Sequence, residues 1–229
     1  MTKYIQILTL IFLVSCGQTR KKSDNNQGVQ NDLVYKTEDE ISNIIKLKDK
    51  TVKFLWRANK YDEELKDTFN SIFINEDFCK TITDPEKAAL GYVVTFIDSD
   101  CERSEESMDD FSNLKCKTLS ALNLGSKCSD KHLGFLRKWF KKDSKSLKVL
   151  EDCPTVPYTA SSQSTFDFIN LTVKDNNISV EFGVRGINMR IGESWSYSET
   201  DYFQLFMDNI KLIKKIESKV KREHFSTED

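Results

Sequence analysis

The sequence predicts an α+β fold: a helical N-terminal half over residues 34–157, followed by an antiparallel β-sheet over 158–229, packed as one compact unit. Three observations lead there. Up to Glu151 the apolar residues recur at i, i+3, i+4 spacing, with Gly and Pro held at segment edges. After Tyr158 the texture changes to short runs of β-branched and aromatic residues separated by turn formers. Ile, Leu, Val and Phe supply 63 of 229 residues, above the roughly 20% below which a chain cannot bury enough surface to order itself.

Thr37 and Glu40 form a capping box ahead of Ile41, Ile44, Ile45 and Lys48, which define the face of a short helix. A second helix is predicted over Val52 to Ile74, broken near Asn59, with Leu65, Phe69, Ile72 and Phe73 as its later stripe. Asp84 and Pro85 read as N-cap and first helical position of a mostly apolar, buried helix through Ala88 to Ile97. Phe111, Leu114, Thr118, Leu119 and Leu122 continue the pattern, with Gly125 placed to end that helix. Ser129 caps the next, whose face is Leu133, Leu136, Trp139 and Phe140; Pro154 and Pro157 then stop the helical part. Phe166 to Val173, a turn at Asp175 to Asn177, and Ile178 to Val184 read as a hairpin. Gly183, Gly186 and Gly192 permit bends or bulges, Trp195, Tyr197, Tyr202 and Phe203 suit further strands, and Ile210 to Ile216, after a turn at Asp208 and Asn209, fits a last strand or a final helix, of which the strand is favoured. The sheet is expected to hold three to five strands.

Ahead of the body, Lys3 precedes an apolar run from Ile5 to Val14, too short to cross a hydrocarbon core, which needs about 20 residues. This reads as a secretory signal over residues 1–15. Its end, Leu13-Val14-Ser15-Cys16-Gly17, resembles the lipobox of bacterial lipoproteins; the resemblance covers the signal and Cys16 alone. It implies a diacylglyceryl thioether on Cys16, cleavage before it and acylation of the new amino group, which gives stable anchoring where one chain would not. Gly17 in place of Asp after the lipidated Cys implies the outer membrane. Residues 16–33 are polar and read as a flexible tether, in which Arg20, Lys21 and Lys22 could touch anionic head groups.

With Cys16 lipidated, Cys79, Cys101, Cys116, Cys128 and Cys153 remain, and an exported chain suggests two disulfides and one free thiol in an undetermined pairing. No C-x-x-C pair occurs and His132 and His224 are far apart, so no metal site is expected; His132 reads as a solvated helix residue. Asp98, Asp100, Glu102, Glu106 and Asp109 follow a calcium-loop spacing but place Arg103 where Gly is needed, so a solvated acidic loop is expected. Lys127 to Lys148 carries eight basic residues against Asp130 and Asp143, read as a solvated helix face.

The net charge of −2 and pI of 5.9 give no general case for nucleic-acid binding. Ser112 to Lys115 spells S-x-x-K and Ser23 to Asn25 spells S-D-N, but their order is reversed and K-T-G is missing. Glu181, Glu193, Glu199 and Asp201 could in principle pair as glycosidase carboxylates. Arg185 to Trp195, with Arg185, Met189, Arg190 and Trp195, joins a bend to residue types enriched at binding hot spots and is the chosen recognition surface. These readings lead to a membrane-anchored envelope lipoprotein without catalytic residues, cofactor or metal. It would face the periplasm or the cell surface and bind the bilayer through acylated Cys16 and an envelope protein or glycan. The alternative is an envelope hydrolase using carboxylates or a Cys.

Overall fold

The structure, a computed structural model, describes residues 45–64, 66–97, 114–153 and 162–225 of the chain. The leader, Cys16, the tether, the Thr37–Glu40 box, Cys101, the side chain of Cys116 and the Asp98–Asp109 template lie outside what is described. The chain comes into the fold through residues 45–49, which are not helical although the spacing predicts a helix there. Seven strands follow: β1 (Lys50–Asp62), β2 (Asp67–Ile74), β3 (Ser162–Lys174), β4 (Asn177–Asn188), β5 (Glu193–Phe206), β6 (Asn209–Glu217) and β7 (Lys221–His224). Among the described residues between β2 and β3 lie five short helices: α1 (Glu76–Thr81), α2 (Asp84–Thr95), α3 (Leu114–Ala121), α4 (Asp130–Trp139) and α5 (Ser144–Glu151).

This corrects the predicted architecture. The described residues form mostly one antiparallel sheet, ordered β2-β1-β3-β4-β5-β6 with β7 also on β5, and among them the N-terminal half opens with a strand hairpin instead of being helical. The segment Val52 to Ile74 is a hairpin, with Leu55 opposite Ile74 and Asp62 opposite Asp67. Its apolar residues imitate a helix for a physical reason. An irregularity between Lys53 and Leu55 leaves Phe54 as an extra residue, so Phe54 and Leu55 are both buried. On the opposite face Trp56 stacks on Phe73, rings 5.9 Å apart. Apolar groups on both faces erase the period of two that would have revealed strands. The polar run Asp62-Glu63-Glu64, closed by Lys66 at φ 50°, is the turn signal that was available.

The later strands follow the predicted pattern. Lys174 pairs with Asn177 around Asp175 and Asn176, both at positive φ, the two-residue turn whose twist matches its strands. The final apolar segment is a strand, and its turn centres on Met207 and Asp208, with Asn209 Nδ2 donating to the Phe206 carbonyl at 2.8 Å. Ser129 caps α4 as expected, its Oγ accepting from His132 N at 3.2 Å. Two boundaries move. Thr83 is the N-cap of α2, with Glu86 Oε2 accepting from its N–H at 3.0 Å, and Asp84 is already helical. At the end of α3, Asn123 takes the left-handed capping position, two residues before Gly125, which is also at positive φ, and Leu124 N donates back to the Leu119 carbonyl.

The helices cover one face of the sheet, and helices and strands share one core. Along β4 and β5 the alternation sends Ile178, Val180, Phe182, Val184, Phe203 and Leu205 inward, where α2 supplies Ala88, Ala89, Leu90, Val93 and Val94. Cys128 and Cys153 form a disulfide, Cα atoms 6.0 Å apart, that ties the start of α4 to the end of α5. Closing a loop of this length contributes about 3.5 kcal/mol in the chain-entropy treatment.

Candidate functional site

Strand alternation gives β5 two different faces. Inward, Glu199 and Asp201 stand two residues apart, and β6 places Lys215 opposite Asp201. Lys215 Nζ lies 2.8 Å from Glu199 Oε1 and 2.9 Å from Asp201 Oδ2. Asp201 is 0% exposed. Burial, reinforced by a hydrogen bond to Glu199, pushes its carboxyl up to about 7. Burial alone would raise Glu199 too, but hydrogen bonds with Asp201 and Lys215 outweigh it and hold Glu199 below the usual range. Burial would likewise lower Lys215, and the two carboxyls overcome it and raise the lysine. One shared proton, one carboxylate and one ammonium therefore make a knot that is electrically neutral below pH 7.

Of the four sheet carboxylates considered as catalytic pairs, the fold brings Glu199 and Asp201 together. Glu181 lies on the outer face beside Asn170, and Glu193 pairs with Arg222. Asp201, with no exposed surface, cannot reach a glycosidic oxygen. The half-buried free thiol of Cys79 is raised by burial and by Glu76, the opposite of an activated nucleophile.

His132 corrects its sequence reading, for it is fully buried. Its Nδ1 accepts from Cys128 N at 3.2 Å, and its Nε2 lies 3.2 Å from Thr95 Oγ1, which donates its own proton to the Gly91 carbonyl. These partners assign a neutral ring carrying its proton on Nε2. Asp143, which the sequence offered only as a charge, caps α5 and also accepts from the Leu212 amide at 3.0 Å, joining the helical layer to β6. Within the basic stretch, Lys131 bonds Asn123 and Lys141 bonds Asp208. No group of three metal-ligating side chains occurs among the described residues.

The outward face of β5 carries Ser194, Ser196 and Ser198. Gly183 stands opposite Ser198, and Arg185 and Lys221 flank Ser196 from the two neighbouring strands. Side chains this short leave a shallow depression of about 200 Å³, floored by Gly183, Ser196 and Ser198 and rimmed by Asp167, Lys219 and Lys221. Gly183 is needed here, since a Cβ would meet the Phe168 ring at 2.5 Å. Asp167 does not leave the depression acidic, because Arg57 lies 3.4 Å from it and Arg185 binds it directly.

Beyond this depression the β4–β5 hairpin ends in the loop Met189–Gly192, with Gly192 at φ 60°. Met189 is 55% exposed and Ile191 59%, joined by Ile187 at 36%. Arg185 and Arg190 are exposed beside them, whereas Trp195 is half-buried. Trp195 lies across Gly186, where a Cβ would fall 2.1 Å from the ring. Gly186 is thus the seat of the indole rather than the predicted bend. Of the predicted recognition residues, Arg185, Met189 and Arg190 are displayed at one end of the sheet and Trp195 braces the hairpin beneath them.

The chain comes in at the other end. Leu47 N donates to Asn176 Oδ1 at 3.0 Å and Asp175 N to Asp49 Oδ1 at 3.1 Å, beside the β5–β6 turn with its exposed Phe206 and Met207. The twelve residues of β4 separate the two poles by about 40 Å. Among the described residues no helix is long and apolar enough to cross a membrane. No family model, curated protein or solved structure matches the chain.

Proposed function

We propose that the protein is a membrane-anchored envelope lipoprotein, held by acyl chains on Cys16, whose folded part is a non-catalytic binding module contacting an envelope protein or glycan through the β4–β5 hairpin. The observation that carries this reading is the exposure of Ile187, Met189 and Ile191 together at one tip, flanked by Arg185 and Arg190. An exposed apolar cluster flanked by arginines has the composition of a surface that a partner covers. Polarity adds support. The first described residues, near Leu47, pack at the Asn176 turn, at the opposite end of the sheet from the hairpin tip.

Two experiments test the two halves of this reading. Labelling with a palmitate analogue should mark the wild-type chain and leave Cys16→Ser unmarked; label retained in the variant contradicts the anchor. A photo-cross-linking residue at position 189 should give discrete protein or glycan adducts in intact cells, and one at position 207, on the tether pole, should not. Equal adducts at both positions contradict the hairpin as the contact surface.

A further inference from the structure

We infer that the outer-face depression between β4, β5 and the β6–β7 edge binds a phosphoester group carried on a small polyol. The inference deepens the reading of this pole as a recognition surface and rests on it.

The floor provides hydroxyl donors and little bulk. Among the described residues the Ser196 and Ser198 hydroxyls make no side-chain hydrogen bond, and Gly183, opposite Ser198 on β4, adds no side chain. Two cations converge on the rim. Lys219 and Lys221 form no ion pair among the described residues, in contrast to Lys141, Lys215 and Arg222. The one carboxylate at the rim, Asp167, is already balanced by Arg57 and Arg185, so the net field over the floor is positive.

This donor set selects an oxyanion, and its geometry selects among oxyanions. A planar carboxylate is matched best by an arginine fork, and the forks of Arg57 and Arg185 at the rim are engaged by Asp167. Two lysine point charges with two hydroxyls fit the spread oxygens of a phosphoryl group instead. A volume of about 200 Å³ exceeds a bare phosphate yet falls below the roughly 300 Å³ of drug-sized sites, which leaves room for a glycerol or sugar body against the Phe168 wall. Such a group can be free in solution or belong to a lipid head group.

The test uses the full-length chain in a neutral detergent at constant ionic strength, titrated with sn-glycerol 3-phosphate and, as control, glycerol. The ester should bind saturably and glycerol should not. Removing both rim cations in Lys219→Ala/Lys221→Ala should weaken the ester about 10-fold, after discounting for solvent exposure. The pair Lys211→Ala/Lys214→Ala, which removes equal charge from the same edge, should leave binding unchanged. Because the variants are at exposed positions, unchanged unfolding midpoints confirm that each is folded. A parallel flotation assay compares vesicles of phosphatidylglycerol mixed with phosphatidylcholine against phosphatidylcholine alone. A preference for the mixed vesicles that needs Lys219 and Lys221, without binding of the soluble ester, supports the site and assigns the phosphate to a lipid. Binding in neither assay, or equal losses in the two lysine pairs, overturns the inference. Met189→Asp/Ile191→Asp separates it from the hairpin reading: this variant should lose cross-linked partners and keep ester binding.

Discussion

The two faces of β5 put the same chemistry to opposite uses. Inward, Glu199 and Asp201 are shut beneath the helices and balanced by Lys215, so their charges are settled within the fold. Outward, Ser196 and Ser198 lie in the open with Lys219 and Lys221 beside them and no carboxylate answering those lysines among the described residues. The lesson is that a perturbed acid is not by itself a reactive one. Shifted protonation marks Asp201, yet its complete burial keeps it out of reach, whereas the outer groups are the ones a ligand can reach.

Substitutions on each face sharpen this contrast. The largest effect is expected from Phe182→Ala, which empties a core position packed edge-on against Phe166 and should cost about 4 kcal/mol in chemical denaturation. Next comes Lys215→Met, which strands Glu199 and Asp201 without their cation. Because the lysine is partly exposed, the loss should be about 2 kcal/mol, below that for a fully buried pair.

Asp201→Asn should act with the reverse sign. Folding raises the Asp201 carboxyl from about 3.8 to about 7, so the native state holds a proton that the unfolded chain releases in this window. Its stabilising contribution is therefore full below 3.8 and declines as pH climbs through 7. Glu199, held low, contributes stability above its ordinary value that disappears only in acid, and Lys215, held high, contributes stability that disappears only in strong base. Between pH 5 and 8 Asp201 dominates. The asparagine variant should gain about 2 kcal/mol at pH 8 and flatten the pH profile of the unfolding midpoint; an unchanged profile contradicts the shared proton.

The smallest effect on stability is expected outside. Ser196→Ala/Ser198→Ala should stay within about 0.5 kcal/mol of wild type in the same denaturation experiment while weakening ester binding severalfold.

Local turn chemistry made much of the sheet legible in the sequence. Asp175 and Asn176 announced the β3–β4 turn, and Ser129 announced α4, because in both places a single residue type satisfies the backbone requirement. The β1–β2 hairpin was hidden because apolar residues occupy both faces around Phe54, Leu55, Trp56 and Phe73, a pattern that three-four spacing imitates. Arg185, Met189 and Arg190 were chosen by residue type and do share one exposed tip. The phosphoester depression had no linear signature. Gly183, Ser196 and Lys221 are neighbours only through two strand registers; Gly183, read as a bend or bulge site, does lie at the irregularity in the β3–β4 pairing, whereas Gly186 seats the Trp195 ring. Glu199 and Asp201 were visible as an i, i+2 pair, but whether they faced core or solvent depended on a register that the sequence did not state.

The division between a structural inner face and a binding outer face is tested most directly by titrating sn-glycerol 3-phosphate into Asp201→Asn beside Lys219→Ala/Lys221→Ala. The predicted result is wild-type affinity in the first and about a 10-fold loss in the second. Loss of binding in Asp201→Asn with the lysine pair unaffected would contradict it.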